Sequence, residues 1–455
     1  MNLHTSFRDF FGLPGLDPRR FFLVAGLMGG LAFVFVTPPF QVPDEPAHFY
    51  RSYSVSQGRF LMGGKNGRPL PSSLRVLVRI LVDDVPFHPE RRIQPGTWGR
   101  AREVRLEPDR VEHSPPPRSL QYSSVPYLPQ AGGIALGRWI GASPLSLVYF
   151  ARTANLLAAV GLIYFAICQL PGYRWLAVLL ALTPMAMFLR SSISPDAGIT
   201  AIAYLLTATI AKIAFRIEPL HGRWDFGLLV VLSVALCLTK PVYFPLVLAA
   251  FVIPSSRIPI RRPGLALLAV LVFSICAVTV TLAISQPSVD GISARIESLV
   301  DEVLGNPFDL FGRIVVDYIR HAPRYGAEFI GRLGWLDTAL PLALLGSYLA
   351  FLMAYTVFDS GSSARVEPWQ RVVLALVIAA SLTAISVAMF FLNDRISGIQ
   401  GRYFHPLALA AAWIFHSTRL SESEAAGWLR PAGVTLLTIF SMVASLSTIF
   451  HRYYG

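Results

Sequence analysis

The chain has 455 residues, 54% of them hydrophobic and only 15% charged, with a mean hydropathy of +0.53. That balance excludes a soluble globular domain and a disordered chain, and describes a protein that crosses a membrane many times. The formal net charge of +12 comes from arginines spread over the connections between apolar runs. Insertion requires them there; no basic groove with interleaved aromatics points to nucleic acid, and anionic lipid is the partner the distribution fits.

The first apolar run covers about 21–37, behind Arg19 and Arg20, and no Ala-x-Ala-type cleavage site follows it. It reads as a retained helix near the lower length limit for a span. Residues 38–144 then form one long segment. Inside it, 46–57 reads as a helix opened by Pro46 and closed by Gly58. The stretch 83–118, rich in Arg, Glu, Asp and Pro and ending in Pro115-Pro116-Pro117, reads as an excursion or a flap. The piece 127–140 is apolar and basic but too short to span, so it and 46–57 are expected to lie in or along the membrane interface.

Ten more runs follow at about 145–170, 175–190, 197–214, 224–239, 242–254, 264–286, 337–358, 371–392, 404–418 and 432–449, for an expected total of about eleven spans. Several are short enough to be tilted or broken. A second long segment, 287–336, separates the seventh span from the eighth. The expected fold is an all-α integral-membrane bundle forming one domain over 1–455. With Arg8, Arg19 and Arg20 cytoplasmic, the same side collects Arg174, Lys212, Arg216, Arg223, Arg257, Arg261, Arg262, Arg365, Arg371, Arg419 and Arg430. The opposite turns hold chiefly Arg190, Lys240, Arg395 and Arg402, which puts the two long segments and the tail outside. Cys168, Cys237 and Cys276 all sit within apolar runs, form no motif and imply no disulfide.

On this topology the unusual polar residues fall on one side. Asp44, Glu45 and His48 directly follow the first span, and Asp196 lies at the outer end of the third and fourth. Lys240 occupies the turn between the fifth and sixth; Asp337 ends the second long segment; Gln400, Arg402 and Tyr403 precede the tenth; Arg152 is near the outer end of the second. Each has a plain structural reading as well. Asp44 or Asp196 would serve as a helix N-cap, Lys240, Arg402 and Arg152 would snorkel to the interface, and His48 would be an ordinary hydrogen-bond partner rather than a metal ligand. Their shared side is what points to a site, since charge near hydrocarbon is costly.

Acids and cations together at an outer membrane surface suit transfer of a sugar from a lipid phosphate. A carboxylate, Asp44 or Glu45, would take the proton of the acceptor hydroxyl. Lys240, Arg402 and Arg152 would stabilise the phosphate left behind, arginine because its fork matches phosphate oxygens.

Five motifs make a resemblance specific: Pro43-Asp-Glu-Pro-Ala-His48, Ser194-Pro-Asp196, Thr239-Lys-Pro-Val-Tyr243, Gly331-Arg-Leu-Gly-Trp-Leu-Asp337 and Gly398-Ile-Gln-Gly-Arg-Tyr-Phe404. Over nearly the whole chain they resemble a bacterial family of predicted polytopic membrane proteins of unassigned function. That family resembles in turn the GT-C superfamily of integral-membrane glycosyltransferases. The resemblance implies a GT-C-like fold with juxtamembrane helices, a polyprenyl-phosphate-linked sugar as donor, and a glycan or lipid acceptor at the outer face of the bacterial inner membrane. It matches Asp44 to the first-loop acid and Asp196 to the second. Residues 121–129 depart from the Pro-Pro-Leu-x-Tyr pattern more usual in this loop. No Asp-x-Asp metal signature is present, which leaves a divalent ion possible but unassigned. Two other classes compete: a transporter or lipid-linked-sugar flippase, which would place polar groups near the midplane on broken, repeated helices, and a polysaccharide polymerase or ligase, whose large outer loop comes late in the chain.

Overall fold

The computed structural model describes residues 16–61, 68–114, 123–215, 222–258, 260–284, 297, 305–359, 365–393, 398–416 and 424–455. The proline run 115–117, Gln121, Arg395 and most of 287–304 lie outside the described residues.

Helix α1 (Pro18–Val36) starts where Asp17 accepts the Arg19 amide at 2.8 Å and Pro18 fixes the first turn. Its 19 residues reach about 28 Å, enough to cross hydrocarbon. The long segment then folds as α2 (Glu45–Ser56), strand β1 (Arg68–Pro71), α3 (Ser72–Val82), α4 (Pro95–Glu103), strand β2 (Val111–Ser114) and α5 (Leu128–Trp139). Both helices expected in this segment are present, and the described part of the 83–118 excursion carries α4 and β2, the latter paired antiparallel with β1 so that Arg68 faces Ser114. Helix α5 lies against α6 (Pro144–Gln169) so closely that a Cβ on Gly133 would run into the Phe150 carbonyl.

The bundle continues with α7 (Arg174–Ala181), α8 (Pro184–Arg190), α9 (Pro195–Phe215), α10 (Arg223–Thr239), α11 (Phe244–Val247) and α12 (Pro263–Ile284). After them come α13 (Pro307–Gly331), β3 (Arg332–Leu333), β4 (Thr338–Ala339), α14 (Leu342–Phe358), α15 (Pro368–Asn393), α16 (His405–Ala412) and α17 (Glu424–Tyr453). Helix α9 is the central post: 83% of its apolar window is buried, against 28% for α12 and for α15, which carry apolar side chains on the outside.

Six described helices are long and apolar enough to cross a membrane: α1, α6, α9, α12, α15 and the Arg430–Tyr453 part of α17. Of the roughly eleven expected spans, six are thus full-length helices by length and composition among the described residues, and the other apolar runs are shorter or broken. Run 175–190 breaks into α7 and α8 at Pro184, with Thr183 capping α8 through the Ala186 amide, and nearly every residue of both pieces is buried inside the bundle. Run 242–254 is a mixed 3₁₀ and α winding over Pro241–Val252, and the described part of run 404–418 is a short α-helix, His405–Ala412, between two 3₁₀ pieces, Gly401–Phe404 and Trp413–Phe415. Helices α10 and α14 have 17 residues each. Apolarity in these runs reflects burial against neighbouring helices as much as contact with lipid.

The end of α17 meets the first long segment. Arg452 donates to the carbonyls of Val85 and His88 at 3.0 Å, and the Ile93 amide donates to the Tyr453 carbonyl at 3.1 Å. The tail and the 38–144 segment therefore occupy the same end of the bundle.

Candidate functional site

At that end four of the expected residues converge from four separate stretches of chain. Arg402 Nη2 lies 3.6 Å from Asp44 Oδ2, and Arg402 Nε lies 3.7 Å from Asp196 Oδ2. Lys240 Nζ is 3.7 Å from Asp196 Oδ1 and sits 4.5 Å from the centre of the Tyr403 ring, a cation–π arrangement. The side chains of Arg402 and Lys240 are only 6% and 13% exposed, so neither reaches out to the interface as a snorkelling residue does. Asp44 is 48% exposed and forms the open side of the group.

The capping reading of the two acids does not describe what their side chains do. Asp44 precedes α2 with φ of 62° in the left-handed region and makes no side-chain cap hydrogen bond. Asp196 lies in the first turn of α9, and its amide donates to Ser194 Oγ at 3.3 Å. His48 presents Nδ1 to the Tyr127 hydroxyl at 2.9 Å. Burial chiefly pushes its pKa down to about 4; nearby Asp44 and Asp196 pull the other way, while Arg402 and Lys240 lower it further. The imidazole is neutral at physiological pH, and all four charged residues act on it.

Glu45 and Arg152 are set apart from this group. Both side chains are fully buried, and Glu45 accepts hydrogen bonds from Arg152 Nε (2.8 Å), Arg152 Nη2 (2.7 Å), the Phe40 amide (2.7 Å) and the Ile193 amide (2.9 Å). Arg152 also donates to the carbonyls of Val34, Thr37 and Pro38. The pair ties the end of α1, the 38–45 turn and the 191–196 turn to α6. One helical turn further on, Asn155 donates to the Ser192 carbonyl at 2.7 Å and receives Gln130 Nε2 at 2.8 Å. A single face of α6 thus sets both acid-bearing turns, Arg152 the one with Asp44 and Asn155 the one with Asp196.

Asp337 is likewise committed elsewhere. Its Oδ2 receives Arg452 Nη2 at 3.2 Å, and its Oδ1 receives the Trp335 amide and the Thr338 hydroxyl at 3.2 and 2.9 Å. That closes the β3–β4 turn, from which Trp335 Nε1 donates to the Phe40 carbonyl at 3.2 Å.

The loop carrying Arg402 is clamped onto α13. Glu328 Oε2 accepts the Gly401 amide at 2.9 Å, and Arg324, itself paired with Glu328 at 2.9 Å, donates to the Ile399 carbonyl at 3.0 Å. Tyr243 donates to the Tyr403 carbonyl at 2.9 Å, and the Gln400 carbonyl accepts the Tyr403 amide at 3.0 Å. A Cβ on Gly401 would meet the Tyr325 carbonyl and lie 2.5 Å from the Phe329 amide nitrogen, both backbone atoms that cannot rotate away. Gly401→Ala is therefore expected to lift the loop off α13, costing about 1–3 kcal/mol of stability and displacing Arg402. A lowered thermal midpoint together with lost ligand response in the purified protein is the expected result.

Sequence reasoning missed Asn155, Gln130, Tyr127 and Glu328. Asn155 carried a usable signal, a polar residue inside an apolar run three positions from Arg152. Glu328 carried none, because an acid on an amphipathic helix reads as solvated surface. Among the described residues no group of three or more His, Cys, Asp or Glu is arranged to hold a metal ion.

No curated protein and no solved structure matches this chain. A family model does match residues 27–411, which takes in the Asp44, Asp196, Lys240 and Arg402 segments: the chain belongs to the family described as predicted membrane protein (DUF2142).

Proposed function

We propose that this protein is a membrane glycosyltransferase that moves a sugar from a polyprenyl-phosphate donor to a glycan or lipid acceptor at the outer face of a bacterial inner membrane. The observation that carries the reading is the grouping of a half-exposed carboxylate, Asp44, with a buried cation, Arg402, and a largely buried one, Lys240, at one end of a membrane bundle. The charged residues come from helix ends rather than from the middle of the spans, which favours surface chemistry over transport across the midplane.

In the proposed reaction Asp44 takes the proton of the acceptor hydroxyl as that oxygen bonds to the anomeric carbon of the sugar. The bond from that carbon to the phosphate oxygen breaks, and its electron pair leaves with the polyprenyl phosphate. Lys240 and Arg402 neutralise the charge that develops on the leaving phosphate, and Asp196 holds the two cations in place. Glu45 and Arg152 fix the turn that presents Asp44.

The test is incubation of the purified full chain with a panel of polyprenyl-phosphate sugars, reading release of polyprenyl phosphate. The panel is chosen from the surface glycans missing in a deletion strain. Arg402→Lys is expected to lose about tenfold or more of that release, because a point-like ammonium does not reproduce a forked contact. Consumption of none of the sugars missing from the deletion strain's glycans would overturn the reading.

The orientation rests on the arginine distribution. In a background lacking the three native cysteines, Arg100→Cys and Arg313→Cys are expected to react with a membrane-impermeant thiol reagent in intact spheroplasts, and Ile260→Cys is not. Labelling at 260 but not at 100 inverts the assignment and makes nucleotide sugars the donors to test.

A further inference from the structure

Within the cluster both cations are engaged by carboxylates. Arg402 faces Asp44 at 3.6 Å and Asp196 at 3.7 Å, and Lys240 faces Asp196 at 3.7 Å. These separations are those of ion pairs without a close hydrogen bond, the kind a better-fitting anion displaces. The two acids are not equivalent. Asp196 is 13% exposed and held within the first turn of α9, whereas Asp44 is 48% exposed and sits in a tight left-handed turn at the open side of the group. An anion entering from solvent meets Asp44 before it meets Arg402, which is 6% exposed.

We propose that Asp44 occupies the position of the donor's phosphodiester group on Arg402 in the resting protein, so that donor binding displaces it and thereby delivers a free carboxylate to the acceptor hydroxyl. This rests on the reading of Lys240 and Arg402 as phosphate ligands and adds an order to it. Donor binds first, and the base is competent only once a phosphate has taken its place. A site built this way does not deprotonate water or acceptor while the donor is absent. The exchange is a balanced one: the carboxylate leaves the guanidinium as the phosphate arrives, and no proton or electron moves until the acceptor is present.

The test uses the full chain in detergent, with inorganic phosphate and farnesyl phosphate as separate probes, and measures binding by calorimetry or by the rise in thermal midpoint. Removing the competing carboxylate should tighten phosphate binding by roughly two- to fivefold, the range for a partly exposed pair, while turnover is lost. Two variants keep the backbone tolerable at this position: Asp44→Asn, since asparagine accepts the left-handed region, and Asp44→Gly, which removes the side chain altogether. Tighter binding in both supports the proposal. Binding unchanged or weakened in both overturns it, even if Arg402→Gln abolishes binding and so upholds the phosphate reading. Failure of wild type to bind either probe overturns the phosphate reading and this proposal with it. Tightening seen with both probes assigns the site to the phosphate group itself, and tightening confined to farnesyl phosphate assigns it to a lipid-borne phosphate.

Discussion

Asp44→Asn should abolish sugar transfer while leaving membrane insertion and folding intact, a loss of about 10²–10⁴-fold if Asp44 is the general base. The amide keeps the size of the side chain and tolerates φ of 62°, and no cap hydrogen bond is lost because none is made. Turnover and the thermal midpoint of the purified variant measure the two parts separately. Near-normal turnover would remove Asp44 as the base, and a collapsed midpoint would show that the turn needs the carboxylate for its own stability.

Glu45→Gln is expected to fail in the opposite way. It leaves the Arg152 guanidinium buried without its counter-charge, at a cost of about 3–5 kcal/mol, and it weakens the hold on the Phe40 and Ile193 amides. Poor yield and a lowered midpoint are the expected readouts, with any protein that does fold retaining donor binding at Arg402. Pairing Glu45→Gln with Arg152→Met should recover part of the stability, because a neutral pair of similar volume avoids burying a lone charge. If Glu45→Gln instead folds normally and loses only turnover, the proton acceptor has to be reassigned to Glu45.

Adjacent acids with opposite fates show where a sequence stops being informative. That Asp44, Asp196, Lys240 and Arg402 belong together was legible, because each interrupts or flanks an apolar run and all four fall on one side under a single topology. Which of Asp44 and Glu45 faces inward was not. The answer turns on one left-handed residue at the start of α2 and on an arginine 107 positions away. The form of the spans was only partly legible for a related reason. An apolar run records absence from water without recording whether lipid or protein replaces it, and α7 and α8 are apolar because other helices surround them. Pro184 and Pro245 marked the broken runs in advance. Nothing local marked Asp337 as a residue that joins the tail to the first segment, since its partner, Arg452, lies 115 residues further on.

That tail connection has a bearing on how the protein is made. The 38–45 turn receives Trp335 Nε1 at the Phe40 carbonyl and the Tyr453 hydroxyl at the Gln41 carbonyl, the latter a contact spanning 412 residues. A ribosome has therefore threaded every other helix into the bilayer before the turn beside Asp44 gains its final braces. Nascent chains pass through a long interval in which most of the bundle is inserted and the turn beside Asp44 has its Arg152 anchor without these last two braces. Early membrane-bound intermediates should accordingly be protease-sensitive in the 85–93 stretch and become protected only after α17 has left the translocation machinery.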